Sequence, residues 1–65
     1  MTYTATQMVV AVLQEMYPKA KDSWIRRAAE DSIEWATKNP NPTQDEIDAQ
    51  EKRITRLCKT GRLYS

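Results

Sequence analysis

The feature that most constrains this chain is the placement of its few helix-breaking residues. One glycine and three prolines occur among 65 residues, at Pro18, Pro40, Pro42 and Gly61. Proline lacks a backbone donor and disfavours helix at the residue before it, whereas glycine readily adopts the left-handed conformation that ends many helices. The segments between these positions carry apolar residues at helical spacing. The sequence therefore predicts an all-α fold, a small three-helix bundle. Its helices are expected near residues 4–17, 23–38 and 44–60.

The first segment has the widest apolar surface of the three, and Thr2 or Thr4 is expected to cap it. One side of its helical wheel carries Ala5, Met8, Val9, Val12, Leu13 and Met16. Val10 and Tyr17 widen this side to an arc of about 200°. Such an arc predicts a helix covered on more than one side, by a second copy in a homodimer or by a partner protein. A buried strand over residues 9–13 is the alternative that the apolar run leaves open.

The second segment has the cleanest division between an apolar and a charged face. Asp22 or Ser23 is expected to cap it. The apolar half carries Trp24, Ile25, Ala28, Ala29, Ser32, Ile33, Trp35 and Ala36. On the other half, opposite charges four residues apart predict three ion pairs, each of which would stabilise the helix by about 0.2–0.5 kcal/mol. These pairs are Arg26–Glu30, Arg27–Asp31 and Glu34–Lys38.

The third segment shows both a start signal and a stop signal. Thr43 and Glu46 match a capping box, and Gly61 is expected to end the helix, with Leu63 folding back on its last turn. Residues 39–51 hold four acids and no base, whereas residues 52–65 hold five bases and no acid. This order matches the helix dipole. The inward stripe is expected to consist of Ile47, Gln50, Ile54, Leu57 and Cys58.

The composition argues against an enzyme. Histidine is absent and Cys58 is the only cysteine, so an internal disulfide and a Cys/His zinc site are both excluded. The spacing of Cys58 places it among packing residues, which is the usual role of a free cysteine. Carboxylate pairs such as Glu30/Glu34 and Asp45/Asp48 lie on polar faces, where salt bridging is their ordinary role. We therefore expect no catalytic residue, no cofactor, no metal and no small-molecule substrate.

The chain is expected to form one domain over residues 1–65. It has no apolar run of roughly 20 residues, the length that crosses a bilayer, and its first residues lack the basic region of a secretion signal. Together with a lone thiol, these features predict a soluble cytoplasmic protein.

Aromatic residues are the first set of candidate functional residues. Tryptophan and tyrosine often anchor protein interfaces, and a domain this small rarely buries two tryptophans completely. The candidates for protein contact are Trp24, Trp35, Tyr17 and Tyr64. They favour a non-enzymatic regulator or inhibitor that binds a larger protein, as a monomer or a homodimer.

The basic end of the third helix supports the alternative, a small DNA-binding regulator. Five bases lie within this short stretch and could contact phosphates. They are Lys52, Arg53, Arg56, Lys59 and Arg62. A solvated face whose bases match the helix dipole explains the same pattern.

The same stretch resembles a known family of DNA-binding proteins. The pattern Ile54-x-x-Leu57-Cys58-x-x-Gly61-Arg62-Leu63 is similar to the end of the recognition helix in excisionase-type and related winged-helix proteins. It covers about a sixth of the chain, and the helix and tight turn that precede this helix in that family are not evident. The resemblance implies DNA contact by Arg53, Arg56, Lys59 and Arg62.

Overall fold

A computed structural model describes residues 4–62 of the chain. It contains three helices, α1 (Ala5–Met16), α2 (Asp22–Lys38) and α3 (Gln44–Thr60). No strand occurs in the part of the chain that the structure describes. The predicted all-α three-helix fold is therefore confirmed, and the alternative of a strand over residues 9–13 is wrong.

α1 begins at a capping box, whereas the sequence predicted only a single capping residue. The Thr4 hydroxyl accepts from the Gln7 backbone N–H at 3.2 Å, and the Gln7 side chain accepts from the Thr4 N–H at 3.1 Å. The other predicted cap, Thr2, lies outside the described residues. The helix ends before Pro18, where the Tyr17 N–H still donates to the Leu13 carbonyl at 2.8 Å.

The start of α2 differs from the prediction. Lys21 is the N-cap and makes no capping hydrogen bond with its side chain, and Asp22 is already the first helical residue. The expected capping by Asp22 or Ser23 is thus wrong. The Asp22 carboxylate instead lies in the first turn, where the helix dipole favours a negative charge. At the other end, the Asn39 side-chain amide donates to the Trp35 carbonyl at 2.9 Å.

α3 has both predicted terminal signals. The Glu46 N–H donates to the Thr43 hydroxyl at 3.2 Å, and the Thr43 N–H donates to the Glu46 carboxylate at 3.0 Å. Gly61 ends the helix with φ 71°, the left-handed conformation. A Cβ at Gly61 would lie 2.8 Å from Cδ1 of Trp24 and closer still to Nε1 and Cε2 of that ring. Glycine is therefore required by both the backbone conformation and the neighbouring indole.

The core lies where α1 and α3 each pack on α2. Ala28 and Ala29 of α2 are completely buried, and their small side chains allow the neighbouring helices to approach closely. The buried residues are Leu13, Ile25, Ala28, Ala29, Leu57 and Cys58. α2 packs extensively against both neighbours, whereas α1 and α3 touch each other at very few points. The result is an open, flattened bundle of 36 × 29 × 15 Å with α2 in the middle.

None of the three helices combines the length and the apolar character that crossing a membrane requires, as far as residues 4–62 show.

Candidate functional site

An apolar groove runs along the open face of the bundle, between α1 and α3. Its volume is about 430 Å³. Met16 contributes the α1 wall, Trp35 lies on the floor formed by α2, and Ile47 and Ile54 contribute the α3 wall. Because α1 and α3 hardly touch, no third helix covers this floor. We call this feature the groove.

Tyr17 lines the groove just after the end of α1. Its hydroxyl lies 3.1 Å from the Thr55 hydroxyl, which links the end of α1 to the middle of α3. Both side chains are half-buried and line the groove. The tyrosine that the sequence predicted as a protein contact thus lies in the groove wall, where its ring can meet a ligand while its hydroxyl is held.

The exposed side of α1 continues the apolar surface of the groove. Met8, Val12 and Met16 are 59%, 55% and 61% exposed. They are spaced four residues apart and therefore lie in a row on one side of the helix, and Met16 also lines the groove. The wide apolar arc of α1 is thus covered only in part, chiefly at Leu13, Val9 and Val10.

The two tryptophans lie in different surroundings. Trp35 is half-buried and borders both the groove and a smaller cavity of about 180 Å³ beside Lys38 and Arg53. Trp24 lies at the far end of α2 against Gly61, with the Lys21 ammonium 5.3 Å from its ring centroid. Trp35 therefore belongs to the groove, whereas Trp24 has a structural role at the end of α3.

The predicted protein contacts thus lie in two cavities that share Tyr17. The structure brings Tyr17 and Trp35 together in the groove, and Tyr17 also lines a cavity of about 320 Å³ with Trp24. The fourth predicted contact, Tyr64, lies outside the described residues, as does Leu63.

Arg53, one of the predicted DNA contacts, is engaged inside the protein. Its Nη2 and Nε donate to the two Asp31 carboxylate oxygens at 2.9 and 3.1 Å, and Gln50 donates to the same carboxylate at 3.1 Å. The two charged side chains are 42% and 20% exposed. The predicted Arg27–Asp31 pair is wrong, because Asp31 faces α3 and bonds to Arg53 across the helix interface.

The other predicted ion pairs of α2 have different outcomes. Glu34 and Lys38 pair at 2.8 Å, and the hydrogen bond to Glu34 and its charge raise the pKa of Lys38. Arg26 and Glu30 do not form an ion pair within the described residues. The side chains of both predicted pairs are exposed to solvent, where an ion pair contributes little to stability.

The remaining predicted DNA contacts are exposed along the outer side and the end of α3. They are Lys52, Arg56, Lys59 and Arg62. Lys52 and Arg56 share one shallow surface with Asp48 and Glu51, so this part of the outer side carries both signs of charge. The residues that carry the resemblance to excisionase-type proteins serve the fold here. Leu57 and Cys58 are buried in the core.

No group of three His, Cys, Asp or Glu residues within 4–62 is placed to hold a metal ion. Burial raises the pKa of the Cys58 thiol, which disfavours the reactive thiolate form. The groove is lined mainly by apolar side chains, which suits it to binding through apolar contact.

Searches against protein-family models, curated proteins and solved structures return no match to this chain. The inferences that follow accordingly rest on its own residues.

The sequence predicted an excess of apolar surface on α1, and the structure shows its exposed row at Met8, Val12 and Met16. The groove beside this helix was not predicted. The signal was present in the spacing of Met8, Val12 and Met16 and in the lack of charge in α1, where Glu15 is the one charged residue. Periodicity shows that a side is apolar but cannot show whether the same chain covers it.

Proposed function

We propose that the protein is a small non-enzymatic regulator or inhibitor that acts by binding a larger protein through the groove. The observation that carries this proposal is the continuous apolar surface formed by Met16, Trp35 and Ile54 in the groove and by Met8 and Val12 beside it. A monomeric protein rarely exposes a large contiguous apolar patch unless that patch is an interaction site. Burying it against another protein would remove this surface from water.

The side chains of the groove are of the kinds that bind protein partners. Trp35 and Tyr17 supply large apolar surfaces with polar groups at their ends, a combination enriched at interfaces. Met8 and Met16 have flexible, polarisable side chains that adapt to varied shapes. These residues favour an extended apolar ligand, such as a protein helix, over a small metabolite that needs a ring of convergent polar groups.

The proposal includes two further expectations from the sequence. The first is a homodimer, in which a second copy would cover the exposed row of α1. Sedimentation at high protein concentration measures whether this dimer forms. A cytoplasmic location agrees with a cysteine, Cys58, that is free and buried.

DNA binding is the second candidate, and the exposed bases Lys52 and Lys59 favour it. Two observations make it the weaker candidate. Arg53 is already bonded to Asp31, and Glu51 lies on the surface that Lys52 would present to phosphates. A base that is already paired with a carboxylate, or that lies beside one, contributes less to phosphate binding.

Site-specific photocrosslinking in extract of the native host tests the protein-binding proposal. A benzophenone amino acid replaces Val12 beside the groove or, as the matched control, Glu30, which is exposed away from the groove. The proposal expects one discrete crosslinked protein from position 12 that is absent from position 30 and is lost when Trp35→Ala is added. Equal crosslinking from both positions, or none from position 12, would contradict it.

A mobility-shift titration with duplex DNA tests the second candidate. DNA binding should weaken steeply with salt, with a slope on the order of −0.9 per phosphate neutralised. Lys52→Glu with Lys59→Glu should abolish the shift without disturbing the Arg53–Asp31 bridge. The absence of a shift at low salt would eliminate this candidate.

A further inference from the structure

A second cavity, of about 320 Å³, lies between the end of α1, the start of α2 and the last turns of α3. We call it the end cavity. Most of the residues that line it are apolar, among them Pro18, Ala20 and Trp24. Met16 and Tyr17 line both the end cavity and the groove, so the two cavities share a wall. A protein that lies in the groove therefore reaches the end cavity across these two side chains.

The charged residues that line the end cavity are all basic. They are Lys19 and Lys59, and no aspartate or glutamate is among the described residues that line it. Neither lysine forms an ion pair within residues 4–62. The mouth of the end cavity therefore presents two ammonium groups whose charges are not paired inside the fold.

Two further bases lie beside Trp24, one of the apolar walls. The Lys21 ammonium is 5.3 Å from the centroid of its ring, and Arg62 lies one residue beyond the glycine that abuts the same ring. Asp22 and Glu15 are the acids nearest to these bases in the sequence, and neither lines the cavity. With both acids counted, the four bases still leave an excess of positive charge.

From the shared wall and this charge, and on the premise of the proposed function, we infer that the partner protein inserts an apolar side chain flanked by carboxylates into the end cavity. The apolar side chain packs against the lining, and the flanking aspartate or glutamate residues lie near the ammonium groups of Lys19 and Lys59. An apolar anchor in a pocket is the usual centre of a protein interface. Opposite charges around it orient the partner and disfavour wrong ones.

The lining of the end cavity favours a protein segment over a nucleic acid or a small acid. A base binds by stacking on an aromatic face, but the Lys21 ammonium already lies over the Trp24 ring. A small ligand is held by burying roughly 70–90% of its surface, whereas Met16, Lys19 and Lys59 are exposed around this cavity. A side chain that belongs to a larger interface does not need such enclosure.

The inference is tested with synthetic peptides and the full chain. Each peptide carries one central leucine and an N-terminal fluorophore, with glutamates on both sides of the leucine in the first peptide, lysines in the second and glutamines in the third. Fluorescence anisotropy should show the glutamate peptide binding at least about tenfold more tightly than the lysine peptide, with the glutamine peptide between them. Replacing its leucine by serine should weaken the glutamate peptide about tenfold. Equal binding of the glutamate and lysine peptides, or no binding of the glutamate peptide, would overturn the inference.

Charge-reversal variants make the test specific for the end cavity. Lys59→Glu should weaken binding of the glutamate peptide about three- to tenfold and strengthen that of the lysine peptide. Lys19→Glu, in the connector rather than in a helix, should act in the same way. Lys52→Glu makes the same change in net charge on α3 away from this cavity and should change neither affinity. Equal effects of all three variants would overturn the inference, because they would indicate non-specific attraction.

Two further measurements separate this inference from its alternatives. If a single-stranded oligonucleotide of equal charge binds as tightly as the glutamate peptide and Lys59→Glu abolishes that binding, the end cavity binds phosphates and the inference is overturned. In the photocrosslinking assay from position 12, Lys59→Glu should lower the yield of the crosslinked protein about three- to tenfold, and Lys52→Glu should not. An unchanged yield in Lys59→Glu would overturn the inference and leave the proposed function standing. The absence of any crosslinked protein without these substitutions would instead refute the proposed function.

Discussion

Replacing Gly61 by alanine should be among the most damaging single substitutions in this protein, although the residue lies at the end of the last helix. Gly61 adopts φ 71°, a conformation that costs a residue with a Cβ about 1–2 kcal/mol. The same Cβ would lie within 2.8 Å of three atoms of the Trp24 indole. Since the ring is half-buried, it cannot move aside without losing its own packing.

The expected loss combines these two effects. Overpacking typically costs about 1–3 kcal/mol, and the reduced freedom of the unfolded chain returns about 0.4–1 kcal/mol. We therefore expect Gly61→Ala to lower the free energy of unfolding by about 2–4 kcal/mol. A domain of this length has a total stability of roughly 3–10 kcal/mol, so the variant should lose a large fraction of it.

A double-mutant cycle with Trp24→Leu isolates the contact, with urea denaturation followed by circular dichroism as the assay. Leucine keeps an apolar side chain but removes the ring that the new methyl group would meet. In this background the cost of Gly61→Ala should fall to a net backbone contribution of about 1 kcal/mol. This is the cost of the left-handed conformation less the gain from the reduced freedom of the unfolded chain. If Gly61→Ala costs the same in both backgrounds, Trp24 does not pack against this residue, and its assignment to a structural role is wrong.

Three further predictions concern other parts of the fold. A double-mutant cycle on Asp31→Asn and Arg53→Gln should give a coupling of about 1–2 kcal/mol in urea denaturation, because the pair is bidentate and partly buried; additive effects would contradict the observed bridge. Hydrogen bonds from the Thr43 N–H and, to a smaller extent, from the Thr43 hydroxyl hold the pKa of Glu46 below its ordinary value of 4.5. This carboxylate therefore stabilises the fold above that pH, and its contribution is lost as the pH falls through the lower pKa of the folded state. Glu46→Gln keeps the cap without titrating, and its stability relative to the native chain should therefore rise on acidification; a constant difference would contradict this. Iodoacetamide should modify Cys58 far more slowly in the native protein than in urea, because the thiol is buried and its pKa is raised; equal rates would show that the core is open.

The sequence predicted the fold well where the information is local. The capping box of Thr43 and Glu46 and the left-handed Gly61 depend on residues a few positions apart, and both are confirmed. The buried stripe of α3 follows directly from helical periodicity. The prediction of the α2 N-cap was wrong because aspartate is favoured both at the N-cap and in the first helical turn. Residue propensity alone does not show which of these two adjacent positions Asp22 occupies.

Features that depend on how the helices meet were harder to predict. Asp31 has an arginine four residues before it, and the local rule favoured Arg27, but the structure places Arg53 of another helix against it. The groove was missed for the same reason. Which side of α1 stays uncovered depends on the distance between α1 and α3, and no pattern within either helix records that distance.

The fluorescence of Trp35 tests the central claim most directly. Trp24→Phe leaves Trp35 as the single tryptophan, and Trp35→Phe is the matched control that leaves Trp24. When a synthetic amphipathic helical peptide with leucines at helical spacing binds, the emission of Trp35 should shift to shorter wavelength and its quenching by acrylamide should fall, while Trp24 in the control should change little. A peptide that binds without altering the emission or quenching of Trp35 would show that the groove is not the binding site.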